Sequence, residues 1–152
     1  MTSYRERLVP TVWIFVATAL LVPASMVVFA PIQGIGFALG AGIGLVLYAG
    51  VIGTLLGTAP VIEVTEGELR AGRARIPLGL VGPSQGFEGA EAALERGRRL
   101  DARAYLCIRG WIGPVVKTTI ADPQDPTPYW LMSTRRPGDL IEAVKAARSS
   151  AV

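Results

Sequence analysis

The chain has 152 residues, with 15 Lys and Arg against 12 Asp and Glu, a net charge of +3, no histidine and one cysteine. Without histidine it lacks the commonest general base and the commonest metal ligand, and a single thiol excludes an intrachain disulfide or a Cys-rich zinc site. A charge excess this small does not make a nucleic-acid binder, so no nucleic-acid partner and no cofactor are expected.

Residues 1–8 read as a short polar lead containing Tyr4-Arg5-Glu6-Arg7. From Val9 to Ile62 there is no Asp, Glu, Lys or Arg. A soluble core alternates buried and solvated positions, so an uncharged run of this length reads as a hairpin of two membrane-spanning helices, residues 9–58, with spans at 9–30 and 35–58. At ~1.5 Å per residue the first is about 33 Å long, enough for a ~30 Å hydrocarbon core. Pro23 lies inside it and predicts a kink. Trp13 falls where indoles anchor at an interface. Arg5 and Arg7 resemble the start of a signal peptide. The apolar run is too long for that, and a second follows at once, so the segment is expected to be retained.

Ala30-Pro31-Ile32-Gln33-Gly34 reads as the tip. In the second span Gly36, Gly40 and Gly44 recur every four residues, and Gly53 and Gly57 repeat the spacing. Small residues at this spacing let another helix backbone approach closely. The partner is the first span, a second copy of the chain or a larger membrane protein. Neither span carries an ionisable acid or base, which argues against a proton relay or charged-substrate path. Arg5 and Arg7 precede the spans, Arg70, Arg73 and Arg75 follow them, and the tip has no Lys or Arg. The positive-inside rule then places both termini in the cytoplasm, with the chain in the cell inner (plasma) membrane. The same five arginines are candidates for contact with the lipid surface.

Residues 59–152 read as a cytoplasmic β-rich domain, since roughly ninety residues make one small domain. Ile62, Val64, Leu69 and Ala71 alternate around Glu66-Gly67 as a β-hairpin, and Arg73 to Ile76 alternates again after a second turn. Residues 83–89 read as loop and 90–100 as a weak helix with a Glu95–Arg99 pair. Residues 104–108, 115–120 and 129–134 read as strands. Pro137 opens a final helix with Leu140, Ile141, Val144 and Ala147 on its apolar face.

Candidate chemistry is sparse. Asp122 and Asp125 lie in a proline-rigidified loop, and two carboxylates can do acid–base work or hold a hard metal. Asp-Pro pairs also start ordinary turns. Trp111, Tyr129 and Trp130 line a groove, meet the bilayer surface or fill a core. Cys107, in an apolar stretch, reads as a buried hydrophobe. Gly40 to Leu45 matches a dinucleotide fingerprint only in part and lies inside a span.

Tyr4-Arg5-Glu6-Arg7-Leu8, Trp13 and the run from Asp122 to Pro137 (DPQDPTPYWLMSTRRP) resemble the actinobacterial membrane-protein family known as domain of unknown function 3093. Its motif falls here on Asp122, Pro123, Asp125, Pro126, Tyr129 and Trp130. The resemblance implies two spans and a small β-rich tail, with no activity and no catalytic residues to carry over. A strand series closed by an amphipathic helix is also similar to bacterial pleckstrin-homology-like domains. That implies a bent antiparallel sheet capped by the last helix, with the helix at 90–100 inserted. The expected function is a non-enzymatic membrane-anchored scaffold or accessory subunit. A membrane-face enzyme subunit using Asp122 and Asp125, or a small transport component, stand as alternatives.

Overall fold

The structure is a computed structural model and describes residues 2–150. Met1, Ala151 and Val152, which the expected domain bounds include, lie outside the described residues. The chain divides into two compact units, the first made of residues up to Leu8 together with those from Pro60 onward, the second Val9–Ala59.

The second unit is helical. Helices α1 (Val12–Ala19) and α2 (Leu21–Phe29) form one apolar rod broken at Leu20, and α3 (Gly36–Gly57) is the other. The break has a covalent cause. Pro23 has no N–H to offer the carbonyl four residues earlier, at Ala19, and the helix interrupts there. The tip between the rods turns at Gly34, whose φ of 86° is open to glycine at no steric cost. Both rods are long and apolar enough to cross a membrane, at Val12–Phe29 and Gly36–Gly57.

Among the described residues the first unit has two four-stranded sheets. Strands β1 (Thr2–Arg7), β2 (Val61–Thr65), β3 (Glu68–Ala71) and β4 (Ala74–Pro77) form an antiparallel meander in the order β1-β2-β3-β4. A 3-10 turn, Leu78–Leu80, leads into β5 (Val81–Phe87). Helix α4 (Gly89–Arg96), β6 (Tyr105–Cys107), β7 (Val115–Ile120), β8 (Tyr129–Ser133) and α5 (Pro137–Ser150) follow. The second sheet has the order β5-β7-β8-β6.

Four readings of the sequence need correction. Residues 2–7 are not a bare lead but β1, paired along β2 from Arg7↔Val61 to Thr2↔Thr65. Residues 83–89 are largely strand. Pro83 and two glycines suggest a loop, but β5 is an edge strand and its pairing with β7 slips between Val81 and Ser84, which is where a strand tolerates proline. The helix at 90–100 stops at Arg96, since Gly97 follows. The tail is not antiparallel throughout, because β6 pairs with β8 in parallel. β8 lies between β7 and β6 and runs antiparallel to β7. β6 runs parallel to it, so the chain from β6 must cross the end of β8 to reach β7.

The main core joins the inner face of the first sheet (Ile62, Val64, Leu69, Ile76) to Val116, Trp130 and Met132 of the second and to Leu140, Val144 and Ala147 of α5. A smaller cluster of Ala92, Val115, Tyr129 and Leu131 lies on the other face of the second sheet. β8 is therefore buried on both faces, and all five of its residues are buried. This explains why its sequence, Tyr-Trp-Leu-Met-Ser, runs apolar without alternating.

Candidate functional site

The N-terminal Tyr-Arg-Glu-Arg-Leu and the Ser-Thr-Arg-Arg-Pro run before α5 meet in space. β1 turns Tyr4, Glu6 and Leu8 inward and Ser3, Arg5 and Arg7 outward. Glu6 is 8% exposed. Its carboxylate accepts hydrogen bonds from the Tyr4 hydroxyl at 2.7 Å, the Thr134 hydroxyl at 2.6 Å and the Arg135 backbone N–H at 3.1 Å. The Arg135 guanidinium lies 3.5 Å away. Burial pushes this carboxyl upward, but the bonds from Thr134, Tyr4 and Arg135 outweigh it and hold the group below its ordinary value. Tyr4 moves the other way, to about 12, first because it is buried. Arg136 lies 5.1 Å from the Tyr4 ring centroid. A buried charge held by three hydrogen bonds and an ion pair ties β1 to the segment between β8 and α5. Sequence reasoning missed it, although the alternation Tyr4, Glu6, Leu8 was a strand signal.

The outer face of the first sheet carries arginine. Arg5↔Glu63, Glu63↔Arg70 and Arg70↔Arg75 are successive cross-strand partners, so the four side chains form one row across four strands. Arg7 lies one step outside this row, opposite Val61. Arg73 occupies the turn whose Gly72 N–H donates to the Val61 carbonyl at 2.8 Å. Arg7 and Arg73 thus lie at the end of the sheet where the chain leaves at Leu8 and returns at Pro60. There the Leu8 N–H donates to the Pro60 carbonyl at 2.9 Å. Glu66 and Glu68 lie at the opposite end.

Within the helical unit, Gly36, Gly40 and Gly44 are buried. A Cβ at Gly40 would fall 2.6 Å from Met26 Cα and from the Ser25 carbonyl, and one at Gly44 would fall 2.6 Å from Val22 Cα. One at Gly36 would meet the Phe29 carbonyl. Gly53 and Gly57 do not share this seam, and nothing lies within 4 Å of a Cβ built at either. Their spacing repeats but their phase does not. Gly53 is nine residues beyond Gly44, two and a half turns at ~3.6 residues per turn, so it faces the other way.

The remaining candidates are structural in their contacts. Asp122 accepts from the Gln124 N–H at 2.9 Å and Asp125 from the Thr127 N–H at 2.8 Å, which makes each the first residue of an Asx turn. Hydrogen bonds from Thr127 lower the Asp125 carboxyl. Pro123 and Pro126 are exposed in the same loop. Among the described residues no three His, Cys, Asp or Glu side chains come together as a metal site. Tyr129 and Trp130 point to opposite faces of β8. Trp130 packs on Tyr105 with centroids 5.1 Å apart. Tyr129 accepts from the Asp101 N–H at 2.8 Å and lies under Lys117, 4.2 Å from its ring. Lys117 also pairs with buried Glu95 at 2.9 Å. Burial raises the Glu95 carboxyl, and Lys117 and Arg99 more than offset this, so it stays below its ordinary value. Arg99 reaches Glu95 at 3.3 Å, as the sequence spacing predicts. Trp111 is half-buried with its indole N–H unpartnered. Cys107 is buried, and burial pushes its thiol up, which disfavours the thiolate.

Glu6, Thr134 and Arg135 form a clamp that joins β1 to the segment before α5, so a family likeness that carries the fold spans both. The family model described as "Protein of unknown function (DUF3093)" matches residues 3–144. The chain belongs to this family. The match takes in β1 with Glu6, both apolar rods, both sheets and most of α5. No curated protein and no solved structure matches the chain. The run from Asp122 to Trp130 is a turn that leads into the doubly buried strand β8.

Proposed function

We propose that this DUF3093 protein is a non-enzymatic, membrane-anchored binding or accessory protein. Its residues 9–58 form a two-span hairpin in the cell inner membrane, and its two-sheet unit works on the cytoplasmic side. One observation carries the reading. The two rods expose Val12, Trp13, Val16, Leu20, Val27, Val28, Phe37, Leu45 and Val46, an apolar surface that water does not tolerate. Both rods are long enough to hold it in lipid.

Pairing of β1 with β2 supports an even number of crossings. The strand before the hairpin and the strand after it share one sheet, which supports placing both in the same compartment. The arginines on both flanks favour the cytoplasm. A binding role suits what the two-sheet unit presents, an arginine-rich outer face, with Asp122 and Asp125 engaged in turns. Its partner is the lipid surface, a larger membrane protein or a second copy. Two sheets sharing a core with a final helix suit a pleckstrin-homology-like arrangement, from which the parallel β6–β8 pair departs.

In-cell crosslinking, purification in mild detergent and mass spectrometry test this. The account expects the chain in the membrane fraction, with a membrane-protein partner or itself in fixed ratio. Recovery from the soluble fraction contradicts it.

A further inference from the structure

We propose that the outer face of the first sheet docks on anionic phospholipid head groups through Arg5, Arg7, Arg70, Arg73 and Arg75, with its Glu66–Glu68 end turned away. This rests on the membrane reading above and deepens it by naming the ligand.

The sheet sorts its charges along the strand direction. Arg7 and Arg73 occupy the end where the chain leaves and returns, and the row Arg5, Glu63, Arg70, Arg75 comes next. The acids Glu66 and Glu68 are at the far end. Arg7 stands two residues before the uncharged run begins at Val9. Two residues of extended chain reach only about 7 Å, so Arg7 is tethered within that distance of the start of the uncharged run.

The row is also unbalanced within itself. It sets one carboxylate among three guanidinium groups, and Arg70 directly opposes Arg75 across the β3–β4 pair. Like charges in directly opposed positions destabilise a sheet. An external anion relieves that cost, and a guanidinium matches a phosphate with two parallel hydrogen bonds. The inner face offers no competing explanation, since Leu69, Ala71 and Ile76 fill the core whatever the outer face carries. Arg73 and Arg75 are exposed. Each such residue brought to an anionic leaflet favours the docked state roughly fivefold, and the gain fades with salt over a Debye length of about 8 Å.

The test uses the full chain in lipid nanodiscs, one set of phosphatidylcholine alone and one with phosphatidylglycerol added. Amide hydrogen exchange is followed over β3, the Gly72–Arg73 turn and β4, with β8 as internal reference. The expected result is severalfold slower exchange across residues 70–76 in the anionic discs only. High salt, or the pair Arg73→Gln and Arg75→Gln, abolishes it, while β8 stays protected. Equal exchange in both discs overturns the lipid face and leaves the hairpin intact. Slowing by added RNA but not by phosphatidylglycerol overturns it in favour of a nucleic-acid phosphate. A chain that does not enter discs overturns both this proposal and the membrane reading.

Discussion

Glu6 and Thr134 are 128 residues apart in the chain, yet the Thr134 hydroxyl donates to the Glu6 carboxylate at 2.6 Å. The bond closes the two-sheet unit across the whole insertion of the helical hairpin. Removing the carboxylate takes away the acceptor that the Tyr4 hydroxyl, the Thr134 hydroxyl and the Arg135 N–H share, and the 2.9 Å bond between the two hydroxyls replaces only part of it. Glu6→Ala is therefore expected to cost about 3 kcal/mol, read as a lower unfolding temperature, with Glu6→Gln milder. A Glu6→Ala chain as stable as the parent refutes the clamp.

The same group sets an acid limit. A carboxyl held below its ordinary value contributes stability above its unfolded pKa, and the contribution is lost as pH falls through the folded value. Glu6 therefore stabilises above about pH 4.5, and its share disappears below that. Tyr4 works at the other end. Raised to about 12, its contribution is complete below pH 10 and lost as pH climbs through 12. Stability measured against pH should fall less steeply on the acid side in Glu6→Gln, and less on the alkaline side in Tyr4→Phe. Unchanged slopes in both variants count against these assignments.

The Leu8 N–H bond to the Pro60 carbonyl, at 2.9 Å, makes the hairpin replaceable. Residues 1–8 joined to 60–152 through an Asn-Gly turn should give a soluble, cooperatively folding protein. Residues 60–152 alone should not. They lose Tyr4 and Leu8 from the core, and burial of such side chains is worth about 1.5–3 kcal/mol each, a large part of a small domain's margin. Circular dichroism with thermal melting separates the two outcomes.

Gly40 and Gly53 should respond differently to the same change. A Cβ at Gly40 collides with the backbone of Met26 and Ser25, whereas Gly53 has open space. Gly40→Ile is expected to separate the rods at a cost of about 1–3 kcal/mol or more. Gly53→Ile should leave their packing intact. Thermal stability in detergent tests the pair, and equal losses would deny the seam its place at Gly36, Gly40 and Gly44.

Much of this was legible in the sequence for definite reasons. The uncharged run from Val9 to Ile62 marked out the two long apolar rods, and the alternation at Ile62, Val64, Leu69 and Ala71 marked β2 and β3. Pro137 announced α5. What failed did so where one signal masked another. The charges of Tyr4-Arg5-Glu6-Arg7 hid the alternation that makes β1, because an inward glutamate does not look like a core residue. Pro83 hid β5, because edge-strand status is a property of the sheet and not of the segment. The glycine repeat showed spacing correctly, but phase decides which glycines share a face. The motif from Asp122 to Trp130 was legible as a pattern, while its role as a turn into β8 needed the pairing on both sides.

The account stands or falls on whether both flanks of the hairpin share one compartment while its tip lies in the other. Single cysteines placed at Ser3, Gln33 and Ser149 in a Cys107→Ala background, labelled in intact cells with a membrane-impermeant maleimide, measure this directly. The account predicts labelling at Gln33 alone, with Ser3 and Ser149 reactive only after permeabilisation. Labelling of Ser3 or Ser149 in intact cells, or a chain recovered free of the membrane, would contradict it.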